Sequence, residues 1–242
     1  MRTGEIIRVM LRVMVGWAAF SCTAFGNDPI EQVTRAIDRM DEIEPSQWAF
    51  VRTIQTSGQV LVARHDPRLE KTRHGWQLEN VNGKPPSEKE LAKFYQQVDQ
   101  ADAKSREDED EAPVKISTLV RIESFRLAFS NEQGRATFEF TPAMNEGSTR
   151  KQDVLVGELV FDLTSQRVET ISVRNTTTYS PVFSVKISTF DMQMKFEPIA
   201  GHVLLTEMST HIQGKVFFKK IDEEVQVTFR DYEWVGEYGR IQ

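Results

Sequence analysis

Over its second half the chain alternates apolar and polar residues with a period of two, and this limits its fold more than any other feature. Val225, Val227 and Phe229 alternate with Glu224, Gln226, Thr228 and Arg230. Leu204, Met208, Ile212, Val216 and Phe218 share one parity, and Glu207, Ser209, His211, Gln213 and Lys215 the other. Such alternation specifies antiparallel strands with one dry and one wet face. Phe183, Val185 and Ile187 run in one phase, and Phe190, Met192, Met194 and Phe196 in the opposite phase. A bulge near Ser188-Thr189 reconciles the two and bends a long strand. At about 3.3 Å per residue, Phe183 to Phe196 reaches roughly 45 Å, about twice the length of an ordinary sandwich strand. Long, bulged, one-sided strands predict a large curved sheet wrapped around a core or a cavity. No repeat of fixed period occurs, which argues against propellers and solenoids.

The part of the chain before this meander mixes helix and strand signals. Asp28 caps, Pro29 suits a first turn and Glu31 can return a hydrogen bond. Ile30, Val33, Ile37 and Met40 then form one helical face, which Pro45 terminates. Trp48–Gln55 and Gln59–His65 read as a hairpin across Ser57-Gly58, with a third short strand from Gly75 to Val81. Asn82-Gly83 makes a turn, Pro85 and Pro86 block further strand, and Ser87 with Glu90 forms a capping box. The helix so opened, Ser87 to Gln100, carries an apolar stripe of Leu91, Phe94, Tyr95 and Val98 that must dock on something, the sheet being nearest. From Asp102 to Pro113 the composition turns acidic, with five acids in a row from Glu107 to Glu111. That stretch is read as a solvated loop, with a docking site for a basic partner as the alternative.

The first 26 residues are of a different kind. Arg2, Arg8 and Arg12 precede the apolar run from Val13 to Phe20, and small residues lead to Gly26 before Asn27-Asp28-Pro29. A positive start, a short apolar stretch and a small-x-small end make a secretory signal peptide, with cleavage expected after Gly26. The run is too short to span a bilayer comfortably as a permanent helix. Cleavage removes three Arg, one Glu and Cys22, taking the net charge from -6 to -8. Cys22 is the only cysteine, so the exported body would hold no thiol to mispair in an oxidising compartment. Ala19-Phe20-Ser21-Cys22 leaves open a second processing route, in which Cys22 carries a lipid anchor. The acidic balance disfavours nucleic-acid binding, which needs surplus cations to displace phosphate counterions.

The chemistry-bearing residues supply no catalytic or metal signature. His65, His74, His202 and His211 include no pair at the i, i+4 spacing of a helical metal site. No G-x-S-x-G elbow, P-loop or dinucleotide fingerprint occurs, so neither an enzyme nor a cofactor is expected. What accumulates instead is flexible apolar material: Phe183, Phe190, Met192, Met194, Phe196, Met208, Phe217 and Phe218. These side chains either pack a core or line a cavity that adapts to lipid chains. Trp48, Phe50 and Ile54 lie on one face of the first strand, toward the same interior. Arg52, among them, reads either as an outward-facing strand arginine or as a headgroup contact.

The order of these elements resembles the LolA/LolB lipoprotein-carrier superfamily and its RseB- and LppX-related members. Trp76-x-Leu78, Val81-Asn82-Gly83-Lys84-Pro85-Pro86-Ser87 and Tyr179 to Ile187 further resemble exported proteobacterial proteins near that group. The resemblance implies an α+β fold in which residues 27–242 form one half-barrel domain. Its large curved antiparallel sheet would have about ten or eleven strands, with helices over the concave face. It implies a periplasmic binding protein, monomeric, that holds a lipid, acyl chain or lipoprotein without covalent chemistry. An envelope protein with a filled core and a protein partner is the alternative. On the first reading Trp48, Phe50, Ile54, Phe183, Met192, Met194, Phe196 and Met208 line the concavity, and Leu91, Phe94 and Tyr95 belong to a lid helix hinged on the acidic loop.

Overall fold

The computed structural model describes residues 28–69, 74–107, 115–131, 134–143, 154–181 and 184–236. The expected signal peptide over residues 1–26, Phe183 and the acidic run beyond Glu107 lie outside the described residues.

Helix α1 (Pro29–Asp41) begins as its sequence dictates: the Asp28 carboxylate accepts the Ile30 N–H, and Pro29 occupies the first turn. Glu31 pairs with Arg35 rather than returning to the cap. Strands β1 (Trp48–Thr56), β2 (Val60–His65) and β3 (Trp76–Val81) follow as a meander. Asn82 and Gly83 both take positive φ (52° and 79°), the turn for which Asn-Gly is suited.

Helix α2 (Glu88–Glu107) opens on the expected box, with the Ser87 N–H and hydroxyl both donating to Glu90 Oε2 at 2.8 and 2.6 Å. It runs seven residues past Gln100, so the first half of the acidic stretch is helix and not loop. The reason is local: Ala, Lys, Arg and Glu in 101–107 are good helix formers, and no Gly or Pro intervenes before Pro113. A one-turn helix, α3 (Ile116–Leu119), was too short to register as a periodicity; Asp41 at the end of α1 accepts its Ile116 and Ser117 N–H groups.

The remaining strands are β4 (Arg126–Ser130), β5 (Arg135–Phe140), β6 (Leu155–Asp162), β7 (Arg167–Asn175), β8 (Val185–Ile199), β9 (His202–Val216) and β10 (Lys219–Trp234). They form one open antiparallel sheet in the order β3-β2-β1-β10-β9-β8-β7-β6-β5-β4. The last strand pairs with the first, so the meander β4–β10 is extended by β1–β3, with β3 and β4 as free edges. The longest strands lie in the middle, and the β8–β9 register shifts between Ile187 and Thr189, where the phase change required it. A second shift, between Lys195 and Phe196, left no mark in the alternation.

Register lays a continuous apolar row across all ten strands: Leu127, Phe138, Leu159, Ile171, Met194, Met208, Val227, Ile54, Leu61 and Val81 stand opposite one another in turn. Directly opposed residues share a face, so this row defines the dry one. Both long helices pack on it. Val33, Ala36, Ile37 and Met40 of α1 join a core with Phe138, Leu159, Phe161, Ile171 and Met194. Leu91, Phe94, Tyr95 and Val98 of α2 pack on Ala63, Leu78 and Val81.

Candidate functional site

Burial along the apolar row is uneven. Phe138, Leu159 and Ile171 are fully buried toward α1, and Val81 is buried toward α2. Between them Met208, Leu61 and Ile54 are half-buried, Met208 against the α1 core and Leu61 against the α2 cluster, while Val227, between Met208 and Ile54, is buried. The neighbouring positions on the same face, Ile212, Val225 and Phe229, are half-buried too. An apolar strip thus runs across β9, β10, β1 and β2, in the span between the two helices.

Arg52 sits beside this strip. It stands opposite Ala63 on β2 and Phe229 on β10, which places it on the dry face with Ile54 and Phe50. The outward-facing reading is therefore overturned: the parity of the strand wins over the average preference of arginine for water. The guanidinium carbon lies 4.1 Å from the centroid of Trp76, a cation–π contact. Its buried Nε has no hydrogen-bond partner, and among the described residues no carboxylate pairs with it. Burial lowers the Arg52 pKa from its ordinary value, yet an arginine stays protonated in proteins.

His65, opposite Phe50, lies against Phe50 and Trp76. Its Nδ1 is 3.1 Å from the Trp48 carbonyl, which fixes Nδ1 as the donor. Burial holds its pKa below the ordinary histidine value; Arg52 pushes the same way, and the Trp48 carbonyl and Asp66 push back. Asp66 itself belongs to structure. It accepts from Arg68, which also reaches Glu233 and ties the end of β2 to β10.

The expected lining residues divide into three groups. Ile54 and Met208 lie on the strip, and both Met208 and Met192 are half-buried against the α1 core. Met194 and Phe196 are buried in that core, at 6% and 7% exposure. Trp48 and Phe50 are buried in an aromatic cluster with Phe229, Tyr232 and Leu204, where the Tyr232 hydroxyl donates to the Leu205 carbonyl at 2.7 Å. Phe217 and Phe218 leave the interior altogether, at 73% and 100% exposure. They are the two-residue turn between β9 and β10, so no side chain of the sheet can cover them.

Phe229 and Tyr232 were missing from the expected set, and Arg52 stood beside it only as one of two readings. The alternation of β10 contained Phe229, but only register could reveal its neighbour. The three described clefts, of about 450, 440 and 390 Å³, have mixed polar walls and lie away from the strip; the first is bounded by Arg39, Met40, Arg167 and His202. Among the described residues no three His, Cys, Asp or Glu side chains converge as a metal site. Comparison of the chain with models of known protein families and with curated proteins gave no match.

Proposed function

We propose that this chain is an exported binding protein that holds the acyl chain of a lipid or lipoprotein on the strip between α1 and α2, without covalent chemistry. The helix-bearing face is then the concave one, α2 serves as its lid, and the protein works in the periplasm as a monomer. The observation that carries the reading is the apolar row that is buried beneath both helices and, in the span between them, half-buried at Met208, Ile54 and Leu61 around the buried Val227. Arg52, an inward cation without a carboxylate, is suited to the polar or anionic end of such a ligand. Ten methylenes covered on this strip would contribute about 8 kcal/mol, which corresponds to about micromolar affinity before ordering costs are subtracted.

The protein purified from its own envelope fraction and weighed under native conditions tests this. A mass excess lost on organic extraction, leaving acyl fragments, is the expected result. Ile54→Asp or Met208→Asp should abolish uptake of a fluorescent fatty acid in a folded protein. Met194 and Phe196 are not used as targets, because both are buried in the core beneath α1 and substitution there would disturb it. A bare mass with no uptake would instead favour the second reading, an envelope interaction protein whose own side chains fill its interior. The burial of Trp48, Phe50, Met194 and Phe196 supports that alternative.

A further inference from the structure

The turn between β9 and β10 is built against the grain of its geometry. Val216 stands opposite Lys219, leaving Phe217 and Phe218 as a two-residue hairpin connection. Phe217 has φ +53°, in the left-handed region that favours Gly, Asn or Asp at such a turn. Stability alone would place one of those residues here. The chain instead displays two phenyl rings at 73% and 100% exposure.

The charge around the rings is inverted relative to the rest of the protein. Lys186, Lys215 and Lys220 stand in a row across β8, β9 and β10, and Lys219 follows the turn directly. From Gly214 to Ile221 there is no acid, in a chain whose net charge is -6. The nearest acids, Asp222, Glu223 and Glu224, begin beyond that stretch. Asp222 is engaged by His211 at 3.1 Å and by Gln213 at 3.3 Å.

We infer that this tip docks the protein on an anionic bilayer surface. The two rings enter the interface between headgroups and acyl chains while the four lysines meet lipid phosphates. A protein partner fits less well. A protruding two-residue turn offers far less than the roughly 800 Å² per side of a stable protein interface, whereas a bilayer needs only to cover the rings. The acids farther up β10 keep the contact shallow, because they would be repelled by the same surface. The inference stands apart from the acyl-binding reading: an empty protein could dock, and a loaded one could fail to.

Flotation of the protein, as processed by its host, with vesicles is the test. Vesicles of equal parts phosphatidylglycerol and phosphatidylcholine are compared with phosphatidylcholine alone. Binding should be restricted to the anionic vesicles and weaken with salt. The double variant Phe217→Ser/Phe218→Ser should lower partitioning by about tenfold or more with an unchanged Tm. Phe218→Trp should retain binding, and its emission should shift to the blue on anionic vesicles. Because the comparison is between variants sharing one N-terminus, a lipid anchor would raise both alike. Equal partitioning of the wild type and the double variant, or no emission shift, would overturn the inference.

Discussion

Replacing Arg52 with methionine should make the protein more stable and worse at its job. The folded state holds the guanidinium Nε without a hydrogen-bond partner, a deficiency that ordinarily costs about 1–3 kcal/mol. Methionine removes it and keeps an apolar stem of similar reach. The change forfeits the cation–π contact over Trp76, worth about 0.5–2 kcal/mol. A thioether against the same ring returns about 0.3–1.5 kcal/mol. At the middle of these ranges the balance is about 1.5 kcal/mol stabilising, or about 3–6 °C in Tm for a chain of this size. Calorimetry reads that shift. Competition with two acyl probes, one with a carboxylate head and one with a neutral amide, reads the function. Loss of a charge-assisted contact of about 1.5–3 kcal/mol should weaken the anionic probe by about tenfold or more and leave the neutral one unchanged. Since Arg52 helps to hold the His65 pKa down, the imidazole pKa should rise in the variant, as NMR titration would record. A clear fall in Tm would refute the reasoning, because it would mean that Arg52 is held by the fold for the fold. Equal loss of both probes would separate it from the head of the ligand.

Two further outcomes follow from local geometry. Gly157 stands opposite Phe140, and a Cβ there would come within 2.2 Å of the buried Phe140 ring; Gly157→Ala should destabilise by about 1–3 kcal/mol through displacement of that ring, measurable by urea denaturation. His65 is held below the ordinary histidine pKa mainly by burial, so the unfolded chain takes up a proton there before the folded one does. The stability this contributes is complete above about pH 6.5 and declines as pH falls through the lower folded value. The loss of Tm between pH 7 and pH 5 should be smaller in His65→Gln, and an unchanged slope would assign the loss to other groups.

Much of the architecture was legible because it is local. The phase reversal between Ile187 and Phe190 announced a bulge, and the β8–β9 register shifts there. Ser87 and Glu90 announced the start of α2, and their hydrogen bonds are made within one turn. The site was less legible. Arg52 shares the parity of Phe50 and Ile54, but only the pairing with Ala63 and Phe229 shows that this parity faces the helices. Phe217 and Phe218 read as buried because the alternation of β9 runs into them without a Gly or Asn to mark the turn.

The sequence by itself therefore determined β1–β3, the two faces of the long strands β8–β10, the starts of α1 and α2 and the main bulge. Each of these is encoded in side-chain spacing or in hydrogen bonds within a few residues. Tertiary structure decided what stands across from what: β10 beside β1, both helices on one face, Arg52 over Trp76, and two phenylalanines beyond the reach of any neighbour. Alternation tells a residue which of two sides it takes. Whether that side is covered depends on partners more than a hundred residues away, and no local pattern carries that information.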